Sequence, residues 1–260
     1  MNSLIKNNSK SYVIGVDVGT GSARAGLFDL KGNMLYVAKH EITTFQDVEA
    51  RYEQSSDNIW QAICACVKSV VNASKLSADS IVGISFDATC SLVVVDESFA
   101  PLSVGEHNIA ERNVIVWMDQ RATDQAHDIN LLGHSVLNYV GDRISPEMQT
   151  PKLLWLKTYL PQTYHKAAHF FDLTDYLTFR ASGSLARSVC TLVCKWTYLA
   201  HESRWDASYF EAIGLEDLSH TQFSKIGSEV VSPGTSLAQG LTDSAALQLG
   251  LNVGTAVAAG

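Results

Sequence analysis

The residues whose types and spacing best suit chemistry lie near the start of the chain, in Tyr12-Val-Ile-Gly-Val-Asp17-Val-Gly19-Thr20-Gly21-Ser22-Ala-Arg24-Ala-Gly-Leu-Phe28-Asp29. A short apolar run ends in one acid. A loop of small and hydroxyl residues follows, and a second alternating run carries Arg24 beside that loop. A β-hairpin of this kind suits a polyphosphate: small residues let backbone N–H groups approach the oxygens, and the acid can hold Mg²⁺ directly or through water. It is not a Walker A loop, because no Gly-Lys-Ser/Thr follows the glycines. A tight hairpin turn whose glycines only supply positive φ is the competing reading.

Asp87 and Asp119 resemble Asp17 in position, since each follows a short apolar run. Ligands of open sheets gather beyond the carboxyl ends of strands, where carboxylates can bind Mg²⁺, orient sugar hydroxyls or take a proton. Turn acids with no such role read the same way. Lys195 is the polar member of the apolar run Cys190-Thr-Leu-Val-Cys194-Lys195-Trp196; it either donates into a cleft or snorkels at the surface. Glu147, between Pro146 and Met148, is either a polyol acceptor or a solvated loop acid. Trp117, Trp155 and Trp196 suit buried core better than sugar stacking. His165 and His169 are four apart without the acid of an HExxH motif, and no G-x-S-x-G elbow occurs, which argues against a zinc site and a serine hydrolase.

The elements that must position these groups follow from periodicity. Tyr12–Val18, Ala23–Asp29 and Met34–Glu41 read as three consecutive antiparallel strands joined by short turns. Residues 57–71 read as a long helix, with Ile59, Trp60, Ile63, Cys64, Val67, Val70 and Val71 on one face. Ile81–Phe86, Leu92–Val95 and Val114–Trp117 are short apolar strands. Helical spacing recurs over 121–132, over 151–159 with Thr150 as N-cap and Pro151 at N1, over 189–199 and over 205–211. Phe170–Phe179 is short and aromatic, with Asp172 or Thr174 able to cap a turn. A helix capped by Thr242 and closed by Gly250 precedes a final turn and apolar strand. The order β-β-β-α-β-β does not suit a dinucleotide-binding fold, which starts βαβ, but suits a mixed sheet with helices on its faces.

At 260 residues the chain can bury a sizeable core, and 46% hydrophobic with 18% charged residues is an ordinary globular balance. The net charge of -8, with no long basic cluster, argues against nucleic acid. No run of eighteen apolar residues exists, so no membrane span is expected. Residues 1–10 read as a disordered polar tail rather than a signal peptide. The five cysteines, an odd count, fit a reduced cytoplasmic setting; Cys64-x-Cys66 lacks partner ligands for a metal, and Cys190 and Cys194 are expected to be buried on one helical face.

Several pieces, in order, resemble the FGGY family of carbohydrate kinases: Gly15-Val-Asp17-Val-Gly19-Thr20-Gly21-Ser22-Ala-Arg24 with Phe28-Asp29; Val82-Gly83-Ile84-Ser85 before Asp87; Val116-Trp117-Met-Asp119-Gln-Arg121-Ala122; Pro151-Lys152-Leu-Leu-Trp155-Leu; Phe171-Asp172-Leu-Thr-Asp175-Tyr176-Leu177; and Gly250-Leu-Asn-Val-Gly254-Thr255-Ala-Val. Each is loose alone; together, from residue 11 to 260, they are strong. Phe86-Asp87-Ala88-Thr89-Cys90-Ser91 and the lysine of Thr191-Leu-Val-Cys194-Lys195-Trp196 look most like the pentulose kinases, especially the ribulokinase branch and its D-ribulokinase-like members.

The resemblance implies a ribonuclease H-like mixed α/β sheet of the actin–hexokinase–Hsp70 superfamily. It also implies transfer of the γ-phosphoryl group of ATP to a terminal hydroxyl of a pentulose. Asp17 would help hold Mg²⁺; Gly19, Thr20, Gly21, Ser22 and Arg24 would hold the transferring phosphate; Asp87, Thr89, Cys90, Asp119, Glu147 and Lys195 would face the sugar. Family members have two similar domains around a cleft. The chain is expected to be the sugar-binding N-terminal one over 11–260, with the catalytic base and most of the nucleotide site after Gly260, and to lack turnover alone. Xylulose, ribitol or another polyol stays open as substrate, as do a non-catalytic sugar-binding domain, a chaperone-like ATPase and a homodimer.

Overall fold

A computed structural model describes residues 11–260; the expected tail over 1–10 lies outside the described residues. The chain opens with β1 (Tyr12–Val18), β2 (Ser22–Asp29) and β3 (Met34–Glu41), followed by the two-residue strands β4 (Thr44–Phe45) and β5 (Glu53–Gln54) and the helix α1 (Ser56–Ser74). Next come β6 (Ile81–Ala88), β7 (Leu92–Val95), β8 (Val114–Ile115), α2 (Thr123–Leu132), α3 (Gln149–Tyr159), α4 (Pro161–Lys166), β9 (His169–Asp172) and α5 (Leu173–Ser182). The last part holds β10 (Arg187–Ser188), α6 (Val189–Lys195), α7 (Ala207–Ala212), α8 (Glu216–His220), β11 (Val230–Val231), α9 (Asp243–Leu249) and β12 (Ala256–Ala258).

The first sheet runs β12-β6-β1-β2-β3. β1, β2 and β3 pair antiparallel, as their short turns require, whereas β6 lies parallel to β1 and β12 parallel to β6. A parallel neighbour needs a crossover. α1 supplies it, and its periodic apolar face fixes where it lies. Ile59, Ile63, Cys66, Val67 and Val70 are buried with Ala23, Ala25 and Leu27 of β2. Ser55 caps the helix, its side chain accepting from Asn58 N, and Lys75 closes it in the left-handed region at φ 56°. Truncating Ile63 to Ala in this packed layer costs roughly 2–5 kcal/mol.

A second sheet, β4-β5-β8-β7-β9, is antiparallel throughout. Its far face carries a second core of Leu92, Val94, Ile115, Leu153, Trp155, Trp196 and Phe210, under the helical part of the chain. The alternation along β7 explains the division: Val93 and Val95 belong to the first core and Leu92 and Val94 to the second.

Several sequence expectations are corrected in detail. The run Val114–Trp117 is a strand for only two residues, because Asp119 N donates to Val116 O and the chain turns. α3 starts at Gln149 after Met148, so Thr150 is inside the helix and Pro151 is its third residue, where a missing N–H costs nothing. The aromatic stretch divides into β9 and α5, with Asp172 as N-cap accepting from Thr174 N. α6 stops at Lys195, well short of Leu199, and α7 begins at Ala207 rather than Trp205. Thr242 and Gly250 bound α9 as expected. Among the described residues no helix is long and apolar enough to cross a membrane.

Candidate active site

Asp17 sits near the end of β1 and Asp87 near the end of β6, opposite each other in the parallel register. Arg24, on β2, faces Asp17 across the antiparallel pair and donates to its carboxylate at 2.5 Å. Both side chains are about half exposed, so the pair is strongly screened by water. Asp17, Arg24 and Asp87 line one recess of about 420 Å³ with Gly15, Gly26, Ser85 and Gly260. Two of the three acidic strand ends therefore share one opening.

The turn between β1 and β2 has a specific construction. Gly19 N donates to Ser22 O, so this N–H closes the turn and is not free for a ligand. Neither Gly19 nor Gly21 has positive φ, which removes the competing explanation for these glycines. A Cβ at Gly21 would meet nothing within 4 Å, and one at Gly19 would make only ordinary contacts with Arg24 and Ser22. Neither backbone conformation nor internal packing demands glycine, and the space above Gly21 is open. Thr20 is pinned from the second sheet: its carbonyl accepts from Gln54 Nε2 at 2.6 Å, and its Oγ1 accepts from Trp117 Nε1 at 3.0 Å.

Thr89, Cys90, Glu147 and Lys195 gather around the β6–β7 turn, the loop before α3 and the end of α6. Thr89 N donates to Val18 O, tying this turn to the end of β1. Cys90 Sγ lies 3.8 Å from Cys194 Sγ, and Cys90 O accepts from Gln149 Nε2. Lys195 Nζ is 3.9 Å from Glu147 Oε2, and Gln120 Nε2 donates to Glu147 Oε1 at 3.1 Å. Lys195 is mostly covered, with a side chain 19% exposed, so it is not a snorkelling surface lysine.

Asp119 is a correction. Its side chain is fully buried and its oxygens accept from Arg121 Nε, the Arg121 guanidinium, Arg121 N and Tyr52 N. Arg121 continues to Glu53, whose other oxygen meets His107 Nε2 at 2.6 Å. A carboxylate so saturated has no lone pair left for a hydroxyl; it holds the loop after β8. The thiols are a second correction: Cys190 and Cys194 are both exposed, because α6 turns that face outward. Trp155 and Trp196 are buried core, as expected, whereas Trp117 is only half-buried.

Three groups escaped the sequence reading. Lys152 is fully buried and its Nζ donates to Val116 O and Trp117 O at 3.1 and 3.3 Å. Burial pushes its ammonium down to about 7; Lys195 and Arg121 add to this, and Asp119 opposes it. Gln149 and Asp172 each leave one buried oxygen, Oε1 and Oδ2, without a partner. Burial, with Asp175 beside it, raises the Asp172 carboxyl well above its ordinary value. The lysine was visible only as a motif letter, and Asp172 only as a motif letter and a possible helix cap. Neither pattern reveals which buried atoms lack a partner.

The mixed sheet, with a hairpin turn at one end and a recess carrying Asp17, Arg24 and Asp87 beside it, has the actin- and hexokinase-like fold of solved sugar kinases. Xylulose kinase from Lactobacillus acidophilus superposes with a TM-score of 0.79 at 19% identity, covering 96% of this chain and 48% of that one. The chain belongs to the FGGY family of carbohydrate kinases: the model of that family's N-terminal domain matches residues 12–260. The FGGY carbohydrate kinase domain-containing protein of Homo sapiens is 52% identical over 249 residues, 95% of this chain and 45% of its own. A D-ribulokinase of Saccharomyces cerevisiae is 40% identical over 261 residues, 96% of this chain and 36% of its own. The chain thus spans less than half the length of these curated relatives.

Proposed function

We propose that the protein carrying this chain transfers the γ-phosphoryl group of ATP to a terminal hydroxyl of a pentulose, D-ribulose or a similar sugar. This chain forms the wall of the cleft that holds the sugar and the phosphate. The observation that carries the reading is the Trp117 Nε1–Thr20 Oγ1 hydrogen bond at 3.0 Å, which ties the phosphate turn to the loop after β8, where Gln120 donates to Glu147, the residue facing Lys195. Phosphoryl transfer is mainly positioning and charge stabilisation, so a fixed spacing between the two subsites is what such a wall has to supply. The family and the D-ribulokinase relative support the substrate class.

The residues fit their groups chemically. Open space above Gly21 leaves room for phosphate oxygens where any side chain would intrude. Arg24 supplies a cation there. Mg²⁺ is usually held by one or two carboxylates together with waters and substrate phosphates, and Asp17 with Asp87 nearby matches that donor set. When bound, the ion would neutralise charge on the transferring phosphate. On the sugar side Lys195 donates and Glu147 accepts. Thr89 and Cys90 line the approach from the β6–β7 turn.

The test is a phosphotransfer panel with Mg-ATP and D-ribulose, L-ribulose, D-xylulose, ribitol, L-arabinitol and glycerol. A pentulose phosphorylated well ahead of glycerol is expected. Turnover confined to glycerol, or ATP hydrolysis indifferent to every sugar, overturns the reading. Near-equal rates from the 260 residues alone would overturn the division of labour between this wall and the rest of the protein.

A further inference from the structure

Cys90 and Cys194 come from different elements, the β6–β7 turn and the last turn of α6, yet their Sγ atoms lie 3.8 Å apart. Both are free thiols; Cys194 is exposed and Cys90 half-buried. We infer that this pair is an oxidative modification site, where a hydroperoxide converts the two thiols into a Cys90–Cys194 disulfide that weakens sugar binding. The cross-link stands on the geometry alone, whereas its effect on sugar rests on the function proposed above.

A disulfide requires the sulfurs to close to about 2.05 Å, a shift of under 2 Å. The end of a seven-residue helix can supply it, since terminal turns are the least held. Cys190, one turn earlier on the same helix, is also exposed, but Cys194 is the residue whose sulfur reaches Cys90. The pair is not completed into a metal centre: no cluster of three or more His, Cys, Asp or Glu side chains occurs among the described residues.

The order of events follows from the surroundings. Burial, with Asp172 and Cys194 adding to it, raises the Cys90 thiol, although Lys195 opposes this. Cys194, open to solvent, therefore reacts first. Its thiolate attacks the outer peroxide oxygen, the O–O bond breaks, and the leaving hydroxide (or alkoxide) takes up a proton. Cys194 is then a sulfenic acid. Cys90 sulfur attacks the Cys194 sulfur, the S–O bond breaks, and hydroxide leaves with the Cys90 proton as water. With hydrogen peroxide, two thiols are oxidised by two electrons, and one peroxide is reduced to two waters.

The bridge acts on the sugar subsite because of where its ends lie. Cys90 O holds Gln149 Nε2, and Lys195, which faces Glu147, directly follows Cys194. Drawing the sulfurs together displaces both.

The experiment treats the reduced protein with hydrogen peroxide, maps disulfides by peptide mass spectrometry, and measures D-ribulose binding by calorimetry before and after. A Cys90–Cys194 cross-link, a several-fold loss of sugar affinity and recovery of both with dithiothreitol are expected. Cys194→Ser should bind sugar as the parent does and ignore peroxide, with Cys194→Ala as a second variant should Ser disturb the helix end; Cys190→Ser should still cross-link. No cross-link, or one dominated by Cys190–Cys194 or Cys64–Cys66, overturns the site. A cross-link that leaves sugar affinity unchanged overturns its effect. If the reduced protein binds no pentulose, the proposed function fails, while the peptide map still decides the modification.

Discussion

Trp117 Nε1 donates to Thr20 Oγ1 at 3.0 Å across 97 residues of sequence, joining the loop after β8 to the turn between β1 and β2. Ser91 Oγ accepts from Trp117 N, and Lys152 Nζ donates to Trp117 O, so the tryptophan is held by its backbone as well. Trp117→Phe keeps an aromatic ring, a smaller one, and removes the Nε1 donor. A net hydrogen bond is worth about 1 kcal/mol, so a roughly fivefold loss of sugar affinity is expected by calorimetry. Unchanged affinity would show that the turn and the sugar-side residues act independently.

Gly21 separates stability from binding. Its φ is not positive and a Cβ there meets no atom of the chain. Gly21→Ala should therefore leave the thermal midpoint unchanged or raise it, by up to about 1 kcal/mol of stability. The same change should weaken ATP binding, because the methyl enters the space assigned to phosphate. A variant that loses stability but binds ATP normally would place the role of Gly21 in the turn.

Asp119 is expected to behave as a structural anion. Asp119→Ala leaves the buried Arg121 guanidinium with only Glu53 as an acidic partner. Breaking a buried pair from one side costs roughly 3–5 kcal/mol. Urea unfolding should show a loss of that order. Native stability combined with lost sugar affinity would return Asp119 to the sugar.

Lys152 gives a pH signature. Burial lowers its folded value from 10.5 to about 7. Between those values the unfolded chain holds the extra proton, so this residue's contribution to stability rises with pH through the window. Below about 7 the folded state bears the full cost of the buried charge. The stability difference between the parent and Lys152→Met should therefore grow in the parent's favour from pH 7 towards pH 10, as read from paired urea titrations. A flat difference would mean that Lys152 keeps its proton in the fold.

The antiparallel trio β1–β3, the long helix α1 and the capped helix α9 were legible because strict periodicity and local caps determine them. Of the second sheet, β7 and part of β8 were legible as short apolar runs, but β4 and β5 were not: they are two residues each, and the pairing of β5 with β8 is long-range, with no periodic signal. The site divides the same way. Asp17, Asp87 and Arg24 share a recess, as strand-end acids and a hairpin cation suggest. Asp119 sits at a comparable strand end, but Arg121, two residues on, folds back onto it. Chain spacing shows a strand end and does not show whether a cation has already taken its acid. The exposure of Cys194 depended on which way a seven-residue helix faces, and one turn of apolar residues leaves that undetermined.

The most direct measurement is transfer of radiolabel from γ-labelled ATP to D-ribulose by the protein carrying this chain, compared with its Asp17→Asn variant. The account predicts a labelled sugar phosphate from the parent, with the rate reduced roughly 10²-fold or more in the variant while D-ribulose affinity is retained, since Asp17 acts on the phosphate side. Label transferred equally fast by Asp17→Asn, or no label reaching any pentulose from the parent, would contradict it.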